Sequence, residues 1–183
     1  MIPAQLLTPP ALIIASVILV SALGWLVPSV KNALILIPER VRSRGEVHRL
    51  LTAGWLHGDA NHLILNLLMF HVFAASPLRL LGPVWFVVFY VSAVVVAFIP
   101  TTLRQMKNRR YASLGASGAV SAIMFSAILL EPGMRLSLYF LPIRLPAVAF
   151  AVIYLGYSVW SSYRNRDGVN HDAHFAGALY GAC

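Results

Sequence analysis

Charge is what this sequence has least of. Only 11% of its 183 residues are Asp, Glu, Lys or Arg, where soluble domains carry about 25%. That shortage, with 59% hydrophobic residues and a mean hydropathy of +0.76, excludes an ordinary water-soluble domain. Acids are scarcest of all, six against 14 Lys and Arg, for a formal net charge of +8. In a soluble chain such an excess would suggest nucleic acid, but here the cations sit in short segments between apolar runs, where they face lipid headgroups. No nucleic acid partner is expected; membrane lipids are. The lone cysteine, Cys183, cannot form an internal disulfide, so no redox compartment follows from it. No basic residue precedes the first apolar run, so no cleavable signal peptide is expected.

What the chain has in quantity is apolar runs. A helix needs about 20 residues to cross about 30 Å of hydrocarbon, so six spans would use about 120 positions. A single membrane domain over residues 1–183 is expected, all-α, with no room for a second domain. Residues 1–28 hold the first helix, an apolar run at 11–27 punctuated by Pro9, Pro10 and Pro28. Residues 29–61 mix charges with Leu34-Ile35-Leu36-Ile37 and Leu50-Leu51, a pattern suited to a connection lying in the interface. Residues 62–183 carry helices two to six. Helix two is expected from near Asn61 to about 75, helix three over about 83–99 with its end at Pro100, and helix four from near Ser117 to Pro132. Helix five is expected over about 145–160, set off by Pro142 and Pro146. The last apolar stretch, 173–183, amounts to about 16 Å of helix, so the sixth helix is read as truncated. The short N-terminal tail suggests a bacterial inner membrane.

Polar residues inside apolar helices are costly and therefore functional candidates. Three groups qualify. His62 and Asn66 lie four apart on one face of helix two, behind His57. Ser117 stands at the start of helix four within Gly115-Ala-Ser-Gly118, where unpaired backbone N–H groups and the helix dipole favour negative charge. His174 opens the last helix, three residues before Gly177, and Gly177 with Gly181 has the small-xxx-small spacing that lets helices touch backbone to backbone. That face could dock on Gly118 and Ala122, bringing imidazole to hydroxyl. Each group alone has an ordinary explanation: a mutually satisfied pair, an N-cap serine, a histidine bonded to a neighbour. The Gly-x-Ser-x-Gly elbow of hydrolases is absent, since Ala119 stands where its second glycine belongs.

Together the groups say more. A serine needs a base, and His174 is available; a tetrahedral intermediate needs donors, and His62, Asn66 and the Ser117 backbone N–H supply them. Helices two, four and six run in the same direction, so all three groups fall on one side of the membrane. Neither His57/His62 nor His171/His174 has the spacing of a zinc helix, and no metal or cofactor is expected. His48 and His71 have no motif around them and are expected as an interfacial contact and a packed helix position.

On these residues the chain resembles the rhomboid intramembrane serine proteases, from about Glu46 onward: His57-x4-His62-x3-Asn66, then Gly115-Ala-Ser117-Gly118, then Ala173-His174-Phe-Ala-Gly177. The resemblance implies a six-helix bundle with Ser117 as nucleophile and His174 as general base, and no role for Asp172. It implies that His62 and Asn66 line the oxyanion hole and that His57 is structural. Arg49 keeps its place before helix two, where a tryptophan usually stands at the position of His48. Many members carry an aromatic four residues after the serine, packed on the imidazole; here it is Ser121. The implied activity is cleavage of single-span transmembrane substrates from an extracytoplasmic cavity, or, in a non-catalytic relative, binding of transmembrane helices. A small transporter is a third class, opposed by the lack of a mid-helix acid and base pair. Of the 14 cations, 11 fall in the connections after helices one, three and five, which would place that side in the cytoplasm; the resemblance is followed over the count.

Overall fold

The computed structural model describes residues 8–137, 144–164 and 170–183. The chain is mostly helical, as the apolar runs predict. Helix α1, Pro9–Leu26, opens on its two prolines, whose missing N–H would be unpaired in a first turn anyway. Ile13, Val17, Ser21 and Gly24 form its buried face, while Leu12, Leu19 and Leu26 remain exposed. A helix apolar on every side belongs in lipid or in a core.

The connection expected to be interfacial is itself helical: α2 at Pro28–Leu34, α3 at Pro38–Arg44, α4 at Arg49–Thr52 and a 3-10 turn at Ala53–Trp55. Gly45 closes α3 in the left-handed conformation, φ 67°. Arg49 is buried and donates to the carbonyls of Asn32 at 2.9 Å and Ile35 at 2.7 Å, groups that the C-terminal turn of α2 leaves without helical partners. It also pairs with Glu46, whose carboxyl it holds below the usual range. His48 is exposed, 3.4 Å from the Ala33 carbonyl.

Helix α5, Ala60–Phe73, is capped by Asp59, which accepts from the His62 backbone N–H at 2.9 Å. His71, expected to be packed, is exposed on it. Helix α6, Ala75–Gln105, breaks at Gly82, φ 71°, and restarts at Pro83. It does not end at Pro100 as expected, because one lost N–H bond weighs less than the burial of Phe98 and the bond that Thr101 makes to Asn170 from its inner face. Helix α7 is Ser117–Leu130. The chain is not helical throughout: a short antiparallel pair, β1 at Arg135–Ser137 and β2 at Arg144–Pro146, with Leu136 opposite Leu145, lies between α7 and the next helix. Helix α8 therefore starts at Ala147 and runs to Arg164, and α9 is His171–Ala182. Pro142 and Asp167 lie outside the described residues.

Among the described residues, α1 and α6 are long and apolar enough to cross a membrane by themselves. The 14 residues of α7 rise only about 21 Å, but α7 is buried on nearly all sides among α5, α6, α8 and α9. It meets protein rather than lipid along its length, which removes the need to match the bilayer.

Helix α9 packs on α7 with no side chain between them. A Cβ on Gly177 would overlap the Gly118 carbonyl, and one on Gly181 would overlap the Ala122 carbonyl. This is the docking that the small-xxx-small spacing predicts. Replacing Gly181 by Leu should therefore destabilise the protein by about 3 kcal/mol or more, read as unfolding at a lower SDS fraction in mixed micelles; an unchanged transition would refute the backbone contact.

Candidate active site

The turn leading into α7 is held from three directions. Leu36 and Ser113 exchange two backbone hydrogen bonds of 3.0 Å, and Gly115 N–H donates to the Ala53 carbonyl at 3.0 Å. Ala116 N–H donates to His57 Nε2 at 3.4 Å. Gly115 has φ 123°, a region closed to other residues, and a Cβ there would lie 2.8 Å from His62 Cε1. The first connection thus supplies the frame on which Ser117 is mounted.

His57 is buried between α1 and this turn. The Ser21 hydroxyl lies 2.9 Å from the Trp55 carbonyl and 3.0 Å from His57 Nδ1. Its one hydrogen goes to the carbonyl, so Nδ1–H donates to Ser21 Oγ and Nε2 is left to accept from Ala116. That is the neutral imidazole, in keeping with a pKa pushed down to about 4 by burial first and by neighbouring His62 second.

His174 sits one turn into α9, and its Nε2 is 2.7 Å from Ser117 Oγ. The N-terminus of α9 is pinned by Asn170, whose Oδ1 accepts from Ala173 N–H at 3.1 Å and from Thr101 Oγ1 at 2.6 Å. Its Nδ2 donates to Ser113 Oγ at 3.0 Å. Asp172 takes an ion pair with Arg104 at 2.8 Å, joining α9 to α6. Tyr154 of α8 stacks on His174, centroids 5.8 Å apart and planes 22° apart. Its hydroxyl meets Ser121 Oγ at 2.7 Å.

Ser117 and His174 open into a cavity of about 870 Å³, also lined by His62, Asn66, Met69, Met124, Tyr154 and Asn170. The His62 ring lies against Gly115, edge-on to His57 with centroids 4.9 Å apart. Asn66 is buried and spends one amide hydrogen on the His62 carbonyl at 2.8 Å, leaving a second to offer. Ser117 is the first residue of α7, where backbone N–H groups have no helical acceptor. A hydroxyl within hydrogen-bond distance of an imidazole, beside helix N-terminal N–H groups and a side-chain amide, is an arrangement that could activate a nucleophile and stabilise an oxyanion.

The structure brings together Ser117, His174, His62 and Asn66, places His57, Gly115 and Gly118 directly around them, and puts Arg49 at a distance under α2. Sequence reasoning missed Tyr154, Asn170 and Ser21. Asn170 was detectable as an N-cap three residues before an alanine N–H in a helical start; nothing local marks Tyr154 or Ser21, whose partners are tens of residues away.

A family model described as the Rhomboid domain matches residues 44–183. The chain is also similar to RHOMBOID-like protein 12, mitochondrial, of Arabidopsis thaliana, 27% identical over 154 residues, covering 75% of this chain and 45% of that protein. Presenilin-associated rhomboid-like protein, mitochondrial, is 29% identical in Homo sapiens over 181 residues, covering 92% of this chain and 45% of that protein. The Mus musculus protein is 29% identical over 169 residues, covering 86% and 42%. The chain thus spans less than half the length of these relatives. They are mitochondrial proteins of a plant and of animals, which does not fit the bacterial source expected above.

Burial of His57 has a measurable consequence. The folded chain keeps it neutral down to about pH 4, whereas an unfolded chain protonates it near 6.5. The unfolded state therefore binds more protons between those values, and the stability that His57 confers is complete above about pH 6.5 and lost as pH falls toward 4. Unfolding followed across that range should show this slope, and His57→Gln should flatten it; equal slopes would contradict the neutral acceptor role.

Proposed function

The chain belongs to the rhomboid family, and from that premise we propose that it is a serine endopeptidase acting inside the membrane on single-span transmembrane substrates. Residues 1–183 serve as one membrane domain, a rhomboid-like bundle in which α1, α5, α6, α7, α8 and α9 are the six helices. The observation that carries this reading is the 2.7 Å contact between His174 Nε2 and Ser117 Oγ at the wall of the cavity.

In this mechanism His174 Nε2 takes the Ser117 proton as Oγ attacks the scissile carbonyl carbon. The tetrahedral oxyanion is held by Ser117 N–H, His62 and Asn66. Its collapse expels the amine, which leaves with the proton carried by His174. Water, deprotonated by the same imidazole, then attacks the acyl-enzyme and returns Ser117 with release of the new carboxyl end. An intact substrate helix hides its carbonyls in hydrogen bonds, so a substrate with small or helix-breaking residues near the cut would present one more easily. The cavity side is taken as extracytoplasmic, and the protein as multi-pass, in a membrane whose compartment the relatives' mitochondrial names leave open to test by fractionation.

Ser117→Ala should abolish both cleavage of a single-span substrate in proteoliposomes and labelling by a fluorophosphonate, with the fold intact. Equal cleavage by the variant would reject the dyad, and a parent protein that neither labels nor cleaves would favour a rhomboid-like helix binder. Asn66→Ala should lower kcat about 10²-fold with little change in KM, as loss of one oxyanion donor does; an unchanged kcat would remove Asn66 from the hole.

A further inference from the structure

A base that must receive one proton along one line needs its ring held in one orientation. His174 lies near the start of a 12-residue helix, and the position four after Ser117 on the same face of α7 holds only Ser121. Its side chain is too small to lie against an imidazole. Instead Ser121 Oγ donates to the Ser117 carbonyl at 2.8 Å. That uses the only hydrogen of the serine hydroxyl, so in the 2.7 Å contact with Tyr154 it is the tyrosine that donates. The phenol ring is thereby set over His174 with the planes 22° apart. Behind it, Phe150 lies at 6.2 Å and 27°, and Phe125 at 6.3 Å and 47°, closing an aromatic cluster of α7 and α8 side chains.

One side chain therefore contacts both halves of the dyad. Its ring lies on His174, and its hydroxyl reaches the backbone of Ser117 through Ser121. Ser121 is buried, and a large residue there would compete with Tyr154 for the same space, so the small residue on α7 and the tyrosine on α8 compensate each other. We propose that Tyr154 is the positioning residue for His174 and that Ser121 is its anchor to the nucleophile, so that α8 sets the alignment of the reacting pair. This rests on the proposal that Ser117 and His174 act as nucleophile and base.

The test uses the full chain in micelles, with fluorophosphonate labelling and substrate cleavage as readouts. Tyr154→Ala should slow labelling and lower kcat about tenfold, the upper range for loss of an aromatic pair, with KM little changed. Tyr154→Phe, which keeps the ring and loses only the bond to Ser121, should stay within about threefold of the parent, the lower part of the range for one neutral hydrogen bond. Combining Tyr154→Ala with Ser121→Tyr should recover most of the loss by supplying a ring from α7. In parallel, protein labelled with ¹³C at histidine Cε1 should show a His174 resonance displaced by the tyrosine ring current, and Tyr154→Ala should abolish that displacement. A folded Tyr154→Ala variant that labels as fast as the parent, or an unmoved His174 resonance, would overturn the proposal. A parent that does not label is a different failure, that of the dyad, and the resonance then judges the stacking alone.

Discussion

Everything at the site depends on two helices touching without side chains. In lipid there is no hydrophobic drive between helices, so association rests on close packing and on hydrogen bonds. Gly177 against Gly118 and Gly181 against Ala122 give the closest approach a peptide chain allows. That approach is what leaves His174 and Ser117 a single hydrogen bond apart. Any Cβ at either glycine would push α9 away and carry the imidazole with it.

The same contact explains how a helix of 12 residues can hold a histidine in place. Its lower half is locked to α7 by the glycines. Its first turn is tied by Asn170 to α6 and to the turn before Ser117, and by Asp172 to Arg104. Length matters less than these attachments, since α9 does not need to match the bilayer if its position is set by its neighbours.

Polar groups are expensive in this environment, and several of those between α1 and the turn before Ser117 are paired with one another. Arg49 satisfies the end of α2, Ser21 orients His57, and His57 accepts from the residue before Ser117. The connection after α1 is thus a scaffold for the turn before Ser117, with Leu36, Ala53 and His57 each holding one of its residues. Glu39 also approaches Arg109, joining that connection to the basic segment after α6 at 3.8 Å.

Much of this was legible in the amino-acid order because it is local. Apolar runs mark helices, helical spacing puts His62 with Asn66 and Gly177 with Gly181 on one face, and proline or glycine marks most ends. Where the order misled, a longer-range term had won: burial of Phe98 and the bond from Thr101 to Asn170 carried α6 past Pro100, and pairing across 135–146 produced strands where only a connection between helices was expected. The sequence by itself determined a membrane chain, its helices and the residues able to carry chemistry, since charge, hydropathy and spacing act over a few residues. Only the tertiary structure decided which aromatic faces His174, what Asn170 ties the start of α9 to, and that His57 is neutral. Those depend on partners from 33 to 69 positions apart, and separation along the chain leaves no local signal of contact in space.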